Sequence, residues 1–202
     1  QINNMATYQS IRYNVDYQGK AGSLIPLLTF TSDGSDDTAD FASKIDSTYD
    51  EYLFIFNNIH PETDSVYFQF NGRDGSTAYD ATKTSSVFSA FHKEGAGGTE
   101  EEMAYQTGQD VAQGTGVQYL NFRTANDNDA GLSGWLRLFN PASTTFVKHY
   151  MAVTNSHETV DVASMTFHTV GYFNVTAAID GIQFSFSSGE IQGGTIQMFG
   201  VI

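Results

Sequence analysis

Apolar and polar residues alternate one for one in a series of short runs along this chain, the period of strands with one wet face. The clearest run closes the sequence. Ile182, Phe184 and Phe186 alternate with Gln183, Ser185 and Ser187, and a Gly-rich connection over 188–194 feeds a second run, 195–202. This pattern predicts burial of Ile182, Phe184, Phe186, Ile196 and Met198. A chain ending inside a strand is expected to hold its terminus down and leave no tail to carry function.

Upstream, residues 24–31 read as the first strand, and Pro26 places it at a sheet edge because proline cannot donate to a ladder. The segment 48–59 contains Tyr52-Leu-Phe-Ile-Phe56, apolar on both faces, as in a central strand covered on both sides or a strand at a subunit contact. After a turn at 60–64, Val66, Phe68 and Phe70 alternate with Tyr67 and Gln69, and the two runs together predict a hairpin. Residues 80–116 read as a long excursion, rich in Gly and Gln past Glu94, with one short strand at 87–91. Loops of that length are commonly functional or at contacts. Residues 134–139 and 146–154 form a strand pair joined by 140–144; with 170–175 and the closing pair the total is about eight strands.

This pattern predicts an all-β protein, an antiparallel β-sandwich of jelly-roll-like form. Residues 1–20 are instead polar with isolated apolar positions, the pattern of an extended arm. The expected organisation is an arm over 1–22 and a sandwich domain over 23–202.

Composition agrees. Phe (16), Tyr (11) and Gly (19) are plentiful and Pro (3) is scarce, which suits aromatic strands joined by glycine and Asx turns rather than long helices. The formal charge of −14 argues against a nucleic-acid backbone or an anionic membrane surface as partner. No apolar run approaches the roughly 18–20 residues of a membrane helix, and no signal-peptide profile opens the chain, so a soluble protein is expected. Without cysteine, disulfides and thiolate chemistry are excluded.

Candidate chemistry is sparse. His60, His92, His149, His157 and His168 show neither a helical two-His spacing nor an H-x-H spacing, and His149 is read as hydrogen-bonding in an interior or at an interface. No nucleophile elbow, P-loop or dinucleotide fingerprint is present. Two clusters, Asp33/Asp36/Asp37/Asp40 and Asn126/Asp127/Asn128/Asp129, offer oxygen ligands of the kind Ca²⁺ takes, yet neither fits an EF-hand, and both are read as solvated Asx turns. No carboxylate pair stands out for glycoside hydrolysis. Trp135, Tyr119, Tyr79 and Tyr172 could stack on sugars, although most aromatics must fill the core. The chain is therefore expected to be no enzyme and to hold no cofactor and no metal.

Several phrases carry a resemblance: 45–64 around Tyr49-Asp-Glu-Tyr-Leu-Phe-Ile-Phe56, Ser143-Thr-Thr-Phe-Val-Lys-His149, Gly171-Tyr-Phe-Asn174, 178–189, and Gly194-Thr-Ile-Gln-Met-Phe-Gly200. Over 23–202 the chain resembles small virion structural proteins of marine tailed bacteriophages. The resemblance implies an antiparallel sandwich on the outside of a capsid or in the tail apparatus, and no catalytic residues. The leading expectation is a capsid decoration (cement) protein on the outer surface of the particle, a homotrimer bound to the major capsid protein or another virion protein. Its contacts are expected through Ile2, Met5, Ile11, Tyr13 and Val15 of the arm and Tyr52, Phe54 and Phe56 of the two-faced strand. The alternative is a tail-fibre or receptor-binding module that meets a host surface glycan through the loops of 94–116.

Overall fold

The computed structural model describes residues 24–95, 101–159 and 163–202. The expected arm contacts Ile2, Met5, Ile11, Tyr13 and Val15 lie outside the described residues. Within them every regular element is a strand, and no helix is long and apolar enough to cross a membrane.

In chain order the strands are β1 (Leu24–Thr31), β2 (Thr38–Phe41), β3 (Glu51–Pro61), β4 (Phe68–Arg73), β5 (Lys83–Lys93), β6 (Glu101–Tyr105), β7 (Gln118–Tyr119), β8 (Leu132–Phe139), β9 (Lys148–Glu158), β10 (Ala163–Phe173), β11 (Gly181–Phe186) and β12 (Ile191–Val201). They form two antiparallel sheets, a large one ordered β1-β12-β3-β8-β9-β10-β5-β6 and a small one ordered β2-β11-β4-β7. The chain changes sheet eight times, before and after each of the small-sheet strands β2, β4, β7 and β11. Eight strands, β1-β12-β3-β8 over β2-β11-β4-β7, thus make the jelly-roll-like sandwich. The other four, β9, β10, β5 and β6, continue the large sheet; Tyr150 of β9 and Phe173 of β10 still pack on Phe70 of β4 in the same core, and the remainder extends past it as a wing.

Two sequence expectations are corrected by this topology. β3 and β4 are not a hairpin, because β3 pairs with β12 and β8 while β4 pairs with β11 and β7. The closing runs β11 and β12 likewise belong to opposite sheets. Alternation determines which side chains face inward, and it is the same whether a turn returns the chain to its own sheet or carries it to the facing one. The long excursion is also largely regular: β5 and β6 pair with each other, and the remainder, Gln106 to Gly116, is hydrogen-bonded along β5 through Val87 O, Ser85 N and Lys83 N. Pro26 sits at a bulge in the edge strand β1, as its missing N–H requires.

The sandwich core is built from aromatic rings. Phe184 lies among Phe54 and Phe56 of the large sheet and Phe41, Phe68 and Phe70 of the small one, with ring centroids 5.1–6.3 Å away. Most of these pairs meet edge to face, the arrangement the ring quadrupole favours. Ile182, Phe184, Phe186, Ile196 and Met198 are all buried, as alternation predicts.

Under the wing, a strap over 106–125 covers the inner face. Thr154 Oγ1 donates to Leu120 O, and Thr169 Oγ1 to Tyr119 O at 3.2 Å. A small second core of Val87, Met165 and Phe167 lies beneath it. Lys83 and Lys148 are register partners of Phe173 on either side, and both are fully buried. Lys83 Nζ donates to Gly116 O and Lys148 Nζ to Val175 O, carbonyls in place of counter-ions.

Burial lowers the ammonium pKa of both, that of Lys83 to about 8. Between pH 8 and the ordinary lysine value of 10.5 the unfolded chain binds more protons than the folded one, so stability rises with pH there. The Lys83 shift corresponds to about 3 kcal/mol. Above about pH 10 the trend reverses, because burial raises the Tyr52, Tyr79 and Tyr150 phenols and the unfolded chain then loses protons first. Urea midpoints are therefore expected to climb from pH 7 to between 9 and 10 and then fall. Lys83→Met should remove most of the climb.

Candidate functional site

Tyr52, Phe54 and Phe56, expected from sequence as contact residues, do not reach the surface. They are 0, 0 and 2% exposed and point at the small sheet, and the Tyr52 hydroxyl is held by Asp46 O and N, each at 3.0 Å. The pleat instead puts Leu53 and Ile55 on the outer side of β3. The outward face of this strand is thus the aliphatic one.

Register carries that outer face across the whole large sheet. Ile55, Trp135, Val153, His168, Phe88 and Tyr105 form one row across β3, β8, β9, β10, β5 and β6. Phe199, Leu53, Arg137, Met151, Val170 and Ser86 form the next. Met151 is 47% exposed, Phe88 37% and Tyr105 58%. The rings are organised: His168 stacks on Phe88 at 4.6 Å and 5°, His149 meets the edge of Tyr172 at 5.9 Å, and the Arg137 guanidinium lies over Trp135 at 5.7 Å. Three shallow depressions mark the surface, the largest, about 490 Å³, at the β5–β6–β10 end between Ala90, His92, Glu101, Met103 and Thr166. One of about 350 Å³ lies between Thr84, His149, Met151, Val170 and Tyr172, and one of about 270 Å³ between Leu53, Ile55, Trp135 and Arg137.

The electrostatics of this face set it apart. The chain has 23 carboxylates against nine Lys and Arg, yet β1, β5, β8, β10 and β12 contain none. β3 has only Glu51, paired with Arg137, β9 only Glu158, which is buried with its Oε1 2.9 Å from Arg123 Nε, and the edge strand β6 carries the exposed Glu101 and Glu102. Most of the carboxylates lie in loops. Two of the first acidic cluster serve their own turn, Asp36 Oδ2 accepting from Asp33 N at 2.9 Å and Asp33 Oδ1 from Ser35 N at 3.0 Å, while Asp40 Oδ1 in β2 accepts from Gln183 Nε2 of β11 at 2.8 Å. Among the described residues no group of three or more His, Asp or Glu is arranged to hold a metal.

At one end of the face lies a polar cleft of about 600 Å³ lined by Asn58, His60, Asn128, Asp129, Ala130, Gly131, Ser133, Asn155 and His157. Facing irregularities in β3 and β12 form its lip. Asn58 has a left-handed backbone, φ 50°, in a bulge between Phe56 and Ile59, and its freed N–H donates to Ser133 Oγ at 3.0 Å. Gly194 opposite has φ 100°, and a Cβ there would stand 2.4 Å from Asn58 O, so only glycine fits. The other wall, the loop 124–131, is pinned from below. Asp64 Oδ1 accepts from Asn126 N and Thr159 Oγ1, both at 3.1 Å, and Asn126 Nδ2 donates to Glu62 O at 2.9 Å.

Sequence reading passes over both features. The acid-free stretches could have been found by plotting carboxylates along the strands, whereas the cleft joins β3, β8, β9 and a loop that only the fold brings together. Comparison with family models, curated proteins and solved structures finds no match for this chain.

Proposed function

We propose that this chain is a non-enzymatic structural protein of a virion, a capsid decoration protein that seats the outer face of its large sheet on a neighbouring subunit at the particle surface. The observation that carries this reading is an outer face whose carboxylates, apart from Glu51 paired with Arg137, are confined to its β6 edge, on a protein of net charge −14. Its centre, with half-exposed Met151 and Phe88 and no unpaired carboxylate, can be desolvated at little electrostatic cost, while the acidic loops make other approaches repulsive. Contiguous apolar surface of this kind marks interaction sites.

The partners that fit are the major capsid protein or another virion protein, together with further copies of this chain in a homotrimer. Many copies bound at once convert modest single contacts into firm attachment by avidity. Jelly rolls occur in capsid domains but also in lectins and cupins, so the weight rests on the face and not on the fold. Co-pelleting of the purified protein with phage heads lacking it tests the reading. Saturable binding and an oligomer in sedimentation velocity are expected; a monomer that stays in the supernatant would overturn it.

A further inference from the structure

The geometry points to the cleft beside Asn58 and Asp129 as a binding site for a neutral saccharide, a site at one end of the outer face, beyond the apolar rows, and independent of where in a particle the protein sits. Its volume of about 600 Å³ falls within the roughly 300–1,000 Å³ of small-ligand sites.

The lining selects the ligand class. Asn155 Nδ2 donates to Ser164 Oγ at 3.0 Å and Met165 O at 3.2 Å, which fixes the amide and leaves its Oδ1 as an acceptor. His60 Nε2, 3.0 Å from Asp127 O, must carry the proton to bond a carbonyl, so in the neutral ring Nδ1 is an acceptor too. Ser133 Oγ takes up the Asn58 N–H and donates toward Asn58 Oδ1 at 3.4 Å, leaving the Asn58 NH₂ as a donor. The Asp129 carboxylate adds acceptors, and His157 Nδ1 has no partner within hydrogen-bonding reach.

Acceptors outnumber donors and no lysine or arginine lines the cleft, which disfavours phosphate and sulfate. The polar walls disfavour lipid. Hydroxyl groups, each able to donate and accept, match the set. Trp135 follows Ser133 by two residues on the same face of β8, about 7 Å along the strand and outside the cleft lining. The pinned 124–131 loop keeps the wall in place before any ligand arrives, which lowers the ordering cost of binding.

Trp135 is the sole tryptophan and lies two residues from Ser133, so its fluorescence reports on the neighbourhood of the cleft. The test titrates the full chain with the methyl α-glycosides of glucose, mannose, galactose and N-acetylglucosamine, following Trp135 emission and the amide resonances of Asn58, Asp129 and Asn155. At least one sugar is expected to give a saturable change in both signals. Asp129→Ala should weaken it about tenfold, the loss of one charge-assisted hydrogen bond. Asn58→Gly, which keeps the left-handed backbone, should weaken it several-fold. Sodium sulfate and calcium chloride at matched concentrations should leave both signals unmoved. Silence with all four sugars, a response that survives both substitutions, or one reproduced by sulfate or calcium would overturn the assignment.

Discussion

Phe184→Ala is expected to cost about 3–5 kcal/mol, the range for deleting a fully buried ring, and so to remove a large part of the roughly 5–15 kcal/mol that holds a domain folded. Phe184 is the ring at which both sheets meet. Phe54 and Phe56 approach it from the large sheet at 5.4 and 5.1 Å, and Phe68 lies 5.7 Å away in a stacked pair from the small one. Deletion therefore opens a cavity whose walls are themselves rigid rings on hydrogen-bonded strands, which limits collapse into the gap. Phe146→Ala, at a ring 70% exposed in the loop before β9, is the matched control and should change stability by less than about 0.5 kcal/mol. Urea denaturation of the two variants beside the parent measures the contrast. Similar midpoints for both would mean that the aromatic cluster is not what joins the sheets.

Met151→Asp combined with Val170→Asp is expected to leave the fold intact and abolish docking. The two residues are register partners on adjacent strands of the outer face, and Met151 is 47% exposed, so in the free protein both new carboxylates reach water. In a docked complex they would be desolvated without a counter-charge, and burying unpaired carboxylates costs several kcal/mol. Head binding should fall by about 100-fold or more, with far-ultraviolet circular dichroism and urea midpoint close to the parent. Thr145→Asp, in an exposed loop off the face, adds charge without that cost and should bind as the parent does. Equal loss in both variants would assign the effect to net charge rather than to the face.

The strands were legible in the sequence because alternation is a local property. Ile182, Phe184 and Phe186 announce an inward face whatever lies opposite. Pro26 likewise marks an edge for a reason confined to its own missing N–H. The pairing of β8 with β9 was legible, but the partners of β3 and β11 were not, since the turns after them serve a hairpin or a crossing between sheets equally well. β5 was read as a short strand because Ser85 and Ser89, facing inward against the strap, dilute its apolar alternation.

The same limit decided the site. Tyr52-Leu-Phe-Ile-Phe56 showed that β3 has two apolar faces, but the aromatic face went to the core and the aliphatic one, Leu53 and Ile55, to the outside. Six large rings converging on one point fill the space between two sheets better than two aliphatic chains could. The cleft depends on a bulge at Asn58, a turn at Gly194 and a pinned loop meeting in space, and no window of sequence contains all three.

Locating this chain by electron cryomicroscopy in an intact phage particle tests the contact face most directly. The expected density places Trp135, Met151, Val170 and Phe88 against a neighbouring virion protein, with the small sheet and the acidic loops turned to solvent. Density with that face bare to solvent, or a particle without this chain, would contradict the account.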